Sequence, residues 1–239
     1  MSKNQTFTRK LRRWLKIVRR EITRLTFQRD IFKEVTQDII QKNPRIQIPS
    51  AFYSWMKNAY ITDITIGIRR QVDTNKRTIS FTNFLEELAN NPRLITRRSF
   101  ITKYKGSNVE MDANRDFDKF SKPGNPYIDS HKVKADLRKL SKLWEITEKY
   151  INKRIAHIDR HGVRKIPTFK DLDNCVDLLG TLLLKYLLLI EGEGLVQVMP
   201  TIQNDWKAIF REPWITPKES EMEISVQNSR DTIHNSAGK

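Results

Sequence analysis

An all-α fold is what this sequence predicts, and three observations predict it. Apolar residues recur at intervals of three and four along most of the chain. β-branched residues rarely alternate with polar ones, and only 8 Gly are present among 239 residues. The strongest breakers, Asn43-Pro44 and Asn90-Asn91-Pro92, sit between the periodic stretches. The expected organisation is a basic amphipathic helical arm over 1–48, a helical domain over 49–195, and a C-terminal extension over 196–239 that is largely disordered after 214.

The first element starts near Thr8 and carries Leu11, Leu15, Val18, Ile22 and Leu25 on one face. Arg12, Arg13, Lys16, Arg19, Arg20 and Arg24 occupy its other faces, and Ile31, Val35 and Ile39 extend it towards Asn43. A second helix is expected from Ser50 to Val72, closed by the turn Asp73-Thr74-Asn75. Ser80 is a suitable N-cap for a short helix over Phe81–Ala89, and another short helix follows before Lys105-Gly106. Residues 106–129 are rich in Asn, Asp, Lys, Gly and Pro and read as a long loop. Glu110, Asp112, Asp116 and Asp118 do not match the spacing of an EF-hand, so no metal is expected there. Ser130 is the expected cap of a regular helix through Val133, Leu137, Leu140 and Trp144 to Ile158. Thr168 and Asp171 form a capping-box pair opening a last long helix that ends at Gly192.

The 44 Lys+Arg against 28 Asp+Glu give a net charge of +16, and 38% of residues are hydrophobic. That excess favours a polyanionic partner, through attraction and counterion release. Cys175 is the only cysteine, which excludes a disulfide framework and a cysteine-rich zinc site and suits a reducing compartment. The apolar run from Leu178 to Ile190 contains Lys185 and falls short of the roughly 20 residues needed to span a bilayer. With no signal-peptide core at Met1, a cytoplasmic protein without stable membrane insertion is expected.

The segment Tyr150 to His161 is the most informative for chemistry. At helical spacing Tyr150, Lys153, Arg154, His157, Arg160 and His161 fall on one stripe, while Ile151, Ile155 and Ile158 point elsewhere. Surrounding cations favour a neutral His157 that can act as a base, on a face able to hold phosphate. The same stripe also reads as a solvated basic face with a bystander histidine. On the second helix Asp63, Gly67 and Arg70 share a face, which reads either as a flank of the His157 site or as an inter-helix salt bridge.

Two blocks carry a family resemblance. Ile68-Arg69-Arg70-Gln71-Val72-Asp73-Thr74-Asn75-Lys76-Arg77-Thr78-Ile79-Ser80 precedes Phe84-Leu85-Glu86-Glu87-Leu88, and Asn152-Lys153-Arg154-Ile155-Ala156-His157-Ile158-Asp159 follows after a variable loop. Together they resemble the HEPN superfamily, in the branch named after a U-type phage abortive-infection protein, over about residues 52–190. The resemblance implies a helical bundle that dimerises and binds RNA, with metal-independent endoribonuclease activity in many members and a place in toxin, phage-defence or stress systems. There the histidine acts on the ribose 2′-hydroxyl or leaving oxygen, and an arginine stabilises the phosphorane.

The family's arginine stands before the histidine with four to six residues between, and here those positions hold Tyr150, Ile151 and Asn152. Either Arg154 or Lys153 replaces the missing cation, or the site binds without cutting. The expected site is therefore His157, Arg154, Asn152 and Lys153 for catalysis. RNA contacts are expected from Arg160, His161, Arg69, Arg70, Arg12, Arg13, Arg19 and Arg20, with Trp14 available to stack on a base. No cofactor or metal is expected. RNA, a second copy of the chain, and a cognate antitoxin or regulator are the expected partners. A non-catalytic interaction protein is the alternative, and the basic arm alternatively lies on an anionic membrane surface.

Overall fold

A computed structural model describes residues 3–150, 168–199 and 202–214. Packing divides the chain into two units, residues 1–199 and residues 200–239. Among the described residues the regular structure is helical, apart from one isolated antiparallel bridge between Thr96 and Tyr127.

In the first unit α1 spans Lys3–Lys33 and continues as a π-helical stretch over Glu34–Ile40. Its stripe of Phe7, Leu11, Leu15, Val18, Ile22 and Leu25 is buried, and it packs against α2 (Ala51–Gln71) and α7 (Phe169–Glu191). The arm's apolar residues thus belong to the same core as the rest of the bundle. Gly67 marks the closest approach of α1 and α2: a Cβ there would lie 2.3 Å from Leu25 Cδ2. Only a residue without a side chain allows that crossing.

Ser50 caps α2 by accepting from the Phe52 amide, and Ser80 caps α3 (Phe81–Asn90) by accepting from Asn83 N at 3.0 Å. α3 packs along α6 (Ser130–Tyr150). Tyr186 of α7 sits fully buried among Phe81, Phe84 and Phe120. Its hydroxyl donates to Asp136 of α6 at 2.9 Å, beside Lys185 Nζ at 2.6 Å and Lys139 Nζ at 2.9 Å. α7 opens with the expected Thr168–Asp171 capping box and ends at Gly192, whose φ of 78° is left-handed. Lys103 Nζ donates to the terminal carbonyls of Leu189 and Ile190, so a cation closes the negative end of the helix.

Two expectations need correction. Residues 106–129 are not a bare loop: α4 (Arg97–Ile101) packs against α5 (Ala113–Asp118), with a 3-10 turn at Glu110–Asp112. Phe117 and Phe120 are buried against Phe100, and the Arg97 guanidinium ties Asn125 O, Lys122 O and Asp118. The segment's polar composition hid two core aromatics three residues apart. The cap of α6 is Asp129, which accepts from His131 N at 2.8 Å, one residue before the expected Ser130. A carboxylate there also faces the positive helix end.

In the second unit the described residues form a 3-10 turn at Ala208–Arg211, with Phe210 between the rings of Trp206 and Trp214. The expected disorder after 214 lies outside the described residues.

Candidate nucleic-acid interface

Of the residues singled out for chemistry, Asn152, Lys153, Arg154, His157, Arg160 and His161 lie outside the described residues. The structure does describe the block expected beside them, and that block is mostly architecture. Arg69 lays its guanidinium over the Trp144 ring at 3.4 Å, joining α2 to α6, and reaches Asp73 at 3.6 Å. Asp73 accepts from Asn75 N at 3.1 Å and Thr78 Oγ1 at 2.9 Å. Burial pushes the Asp73 carboxyl up, but these donors and Arg69 outweigh it and hold the group below the usual carboxylate range. Ser80 Oγ donates to Asp73 O, and Asn83 Nδ2 donates to Asn75 O and Thr78 O, so the whole turn is clamped onto α3. Gln71 is buried, with its Oε1 unpartnered. Arg70 stands apart: it is exposed and makes no ion pair among the described residues.

The two readings of Asp63, Gly67 and Arg70 also separate. Asp63 does form an inter-helix salt bridge, with Arg24 of α1 at 2.7 Å and not with Arg70. Gly67 serves the helix crossing.

α1 sorts its cations by face. Those flanking the buried stripe are tied to other elements: Lys10 to Glu87 at 2.7 Å, Arg12 to Glu191 at 3.5 Å, and Arg19 to Glu193 at 2.8 Å. Arg29 pairs with Asp177, and Lys33 with Asp173 at 2.9 Å. Opposite the core, Arg9, Arg13, Lys16 and Arg20 are exposed and recur at spacings of four, three and four, which aligns them as one outward stripe. Among the described residues Arg20 has only Glu21, at 3.7 Å, as an ion-pair partner, and α1 contains no acid before Glu21. Of the four expected arm contacts, Arg13 and Arg20 thus face outward, while Arg12 and Arg19 also serve as struts. Arg9 and Lys16, not among the expected contacts, lie on the same stripe, as their spacing opposite Leu11, Leu15 and Val18 dictates. The strut partners lie 77 to 179 residues away in sequence, beyond the reach of local pattern. Trp14 is half-buried, with Lys10 over its ring and its Nε1 buried and unpartnered.

No group of three or more His, Cys, Asp or Glu able to hold a metal occurs among the described residues. Cys175 is buried, and burial first, then Asp171, pushes its thiol up to about 12, which makes it an inert core group. No helix among the described residues is long and apolar enough to cross a membrane. No curated protein and no solved structure matches the chain. The AbiU2 family, a HEPN family, matches residues 8–209, from the first turns of α1 to the 3-10 turn of the second unit. The match takes in both sequence blocks and the basic helix before them, and the chain belongs to the AbiU2 family of the HEPN superfamily.

Proposed function

We propose that this AbiU2-family protein binds RNA along the outward face of α1, in a defence or stress setting. The observation that carries the reading is the sorting of cations on one helix. Flanking Lys10 and Arg19 are closely paired with acids on other elements and Arg12 more loosely, whereas Arg9, Arg13, Lys16 and Arg20 are left facing solvent without an intervening acid. Successive members are about one helical turn apart, a spacing that lets consecutive cations meet consecutive backbone phosphates. The apolar face of α1 is spent on the core, which disfavours the arm as a helix lying in a membrane surface. Fluorescence anisotropy with a labelled single-stranded RNA tests the reading. Replacing Arg9, Arg13, Lys16 and Arg20 by Gln should abolish most of the binding, whereas Lys10→Gln with Arg19→Gln should leave it near wild type.

A second reading adds cleavage, favoured by the stripe of Tyr150, Lys153, Arg154, His157, Arg160 and His161 in the sequence. His157 serves as general base towards the ribose 2′-hydroxyl, and Arg154 supplies the cation that the family places further upstream. Two copies of the chain bring two such segments together, which provides separate groups for base and acid. Purified protein should then fragment cellular RNA in EDTA, and His157→Ala should not. Cleavage that vanishes in EDTA, or that survives in His157→Ala, contradicts this mechanism, and no cleavage under any condition leaves binding alone.

A further inference from the structure

At the N-terminal end of the α1 stripe an open cleft of about 530 Å³ separates α1 from the 3-10 turn and cap ahead of α4. Thr8, Arg9 and Arg12 line it from α1, and Thr96 and Ser99 from the opposite side. Among the described residues no carboxylate lines it, and Leu94 is its one apolar residue. Two guanidinium groups, three hydroxyls and the side-chain amides of Asn4 and Gln5 make it a pocket of donors, the composition that suits an oxyanion rather than an apolar ligand. Arg12 is engaged only loosely by Glu191, at 3.5 Å, and is 51% exposed.

A nearby group reports the local field. The Lys103 ammonium is lowered to about 8, by burial first and then by the positive charge of Arg12, against the opposing pull of Glu191. Arg12 therefore acts across this end of the bundle on a group partly shielded from water. Arg9 belongs both to the cleft and to the outward stripe, so the two surfaces are continuous.

We infer that the cleft seats a phosphodiester group of the strand carried by the outward face of α1, at the point where that strand leaves the helix for the 92–99 segment. The inference rests on the RNA reading of α1 and extends it to Thr8, Thr96 and Ser99. Inorganic phosphate and anionic phospholipid headgroups share the chemistry, so they enter the test as separate ligands.

Ser99→Glu is the decisive variant. Ser99 is exposed, and a Glu three residues after the Thr96 cap completes a capping box, which favours α4 while placing a carboxylate in the cleft. Thr181→Glu, at an exposed position of α7, adds the same charge elsewhere. With single-stranded RNA, Ser99→Glu should bind roughly fivefold to tenfold more weakly than Thr181→Glu, with a salt slope shallower by about 0.7. Equal affinity in the two variants overturns the cleft. So does a loss confined to vesicles of anionic phospholipid, or to inorganic phosphate, with RNA binding unchanged. A third variant, Arg13→Gln/Lys16→Gln/Arg20→Gln, leaves the cleft intact. If it binds RNA like wild type, the α1 reading itself fails and takes the cleft with it; if it has lost affinity while Ser99→Glu has not, only the cleft fails.

Discussion

Asp136 carries four residues' worth of chemistry into the core. Its side chain is 2% exposed and accepts from Lys185, Lys139 and the Tyr186 hydroxyl. Burial alone would push this carboxyl up, but the bonds from Lys185 and Lys139, with Tyr186, more than offset it and hold it below the usual range. A depressed carboxyl stabilises the fold above its unfolded value of about 3.9, and that stabilisation is lost as pH falls through the lower folded value. Asp136→Asn should cost on the order of 3 kcal/mol in urea unfolding at pH 7 and flatten the decline of stability below pH 4. At the α2 terminus Arg69→Ala should lower the urea midpoint through loss of the Trp144 stack, whereas Arg70→Ala should leave it unchanged. Equal midpoints for the two would mean that the Arg69 stack contributes nothing. From sequence, Arg69 and Arg70 looked alike as RNA contacts. Only the approach of α6, 75 residues downstream at Trp144, distinguishes them.

At the scale of elements, the α1–α2 crossing rests on Gly67. Adding a methyl group there drives it into Leu25, which is fully buried and cannot swing aside cheaply. Gly67→Ala should therefore destabilise by roughly 1–3 kcal/mol despite the better helix propensity of alanine. A gain in melting temperature would show that the helices can part without cost. Helix positions were legible where period and cap agreed, as for Ser80 and α3 and the Thr168–Asp171 box of α7, and the period alone placed α2. They were illegible at 106–129, where Phe117 and Phe120 are too few for a period and the tie is the distant Arg97. The apolar face of α1 could be read from Leu11, Leu15, Val18 and Ile22, but its role as a core helix depends on α2 and α7 and not on its own sequence.

For the whole molecule, a charge of +16 predicts a polyanionic partner without saying where it binds. In the proposed reading folding supplies the place, because acids of α3 and of the segment after α7 hold the flanking Lys10 and Arg19 and leave one exposed stripe. Each phosphate neutralised on single-stranded RNA releases condensed counterions, so the slope of log affinity against log salt counts working cations. The most direct measurement is that slope, for wild type and for the variant with Arg9, Arg13, Lys16 and Arg20 all replaced by Gln. The wild type should be steeper by about 3, from roughly 0.7 per contact over four contacts. Two superimposable slopes would contradict the assignment of RNA binding to the outward face of α1.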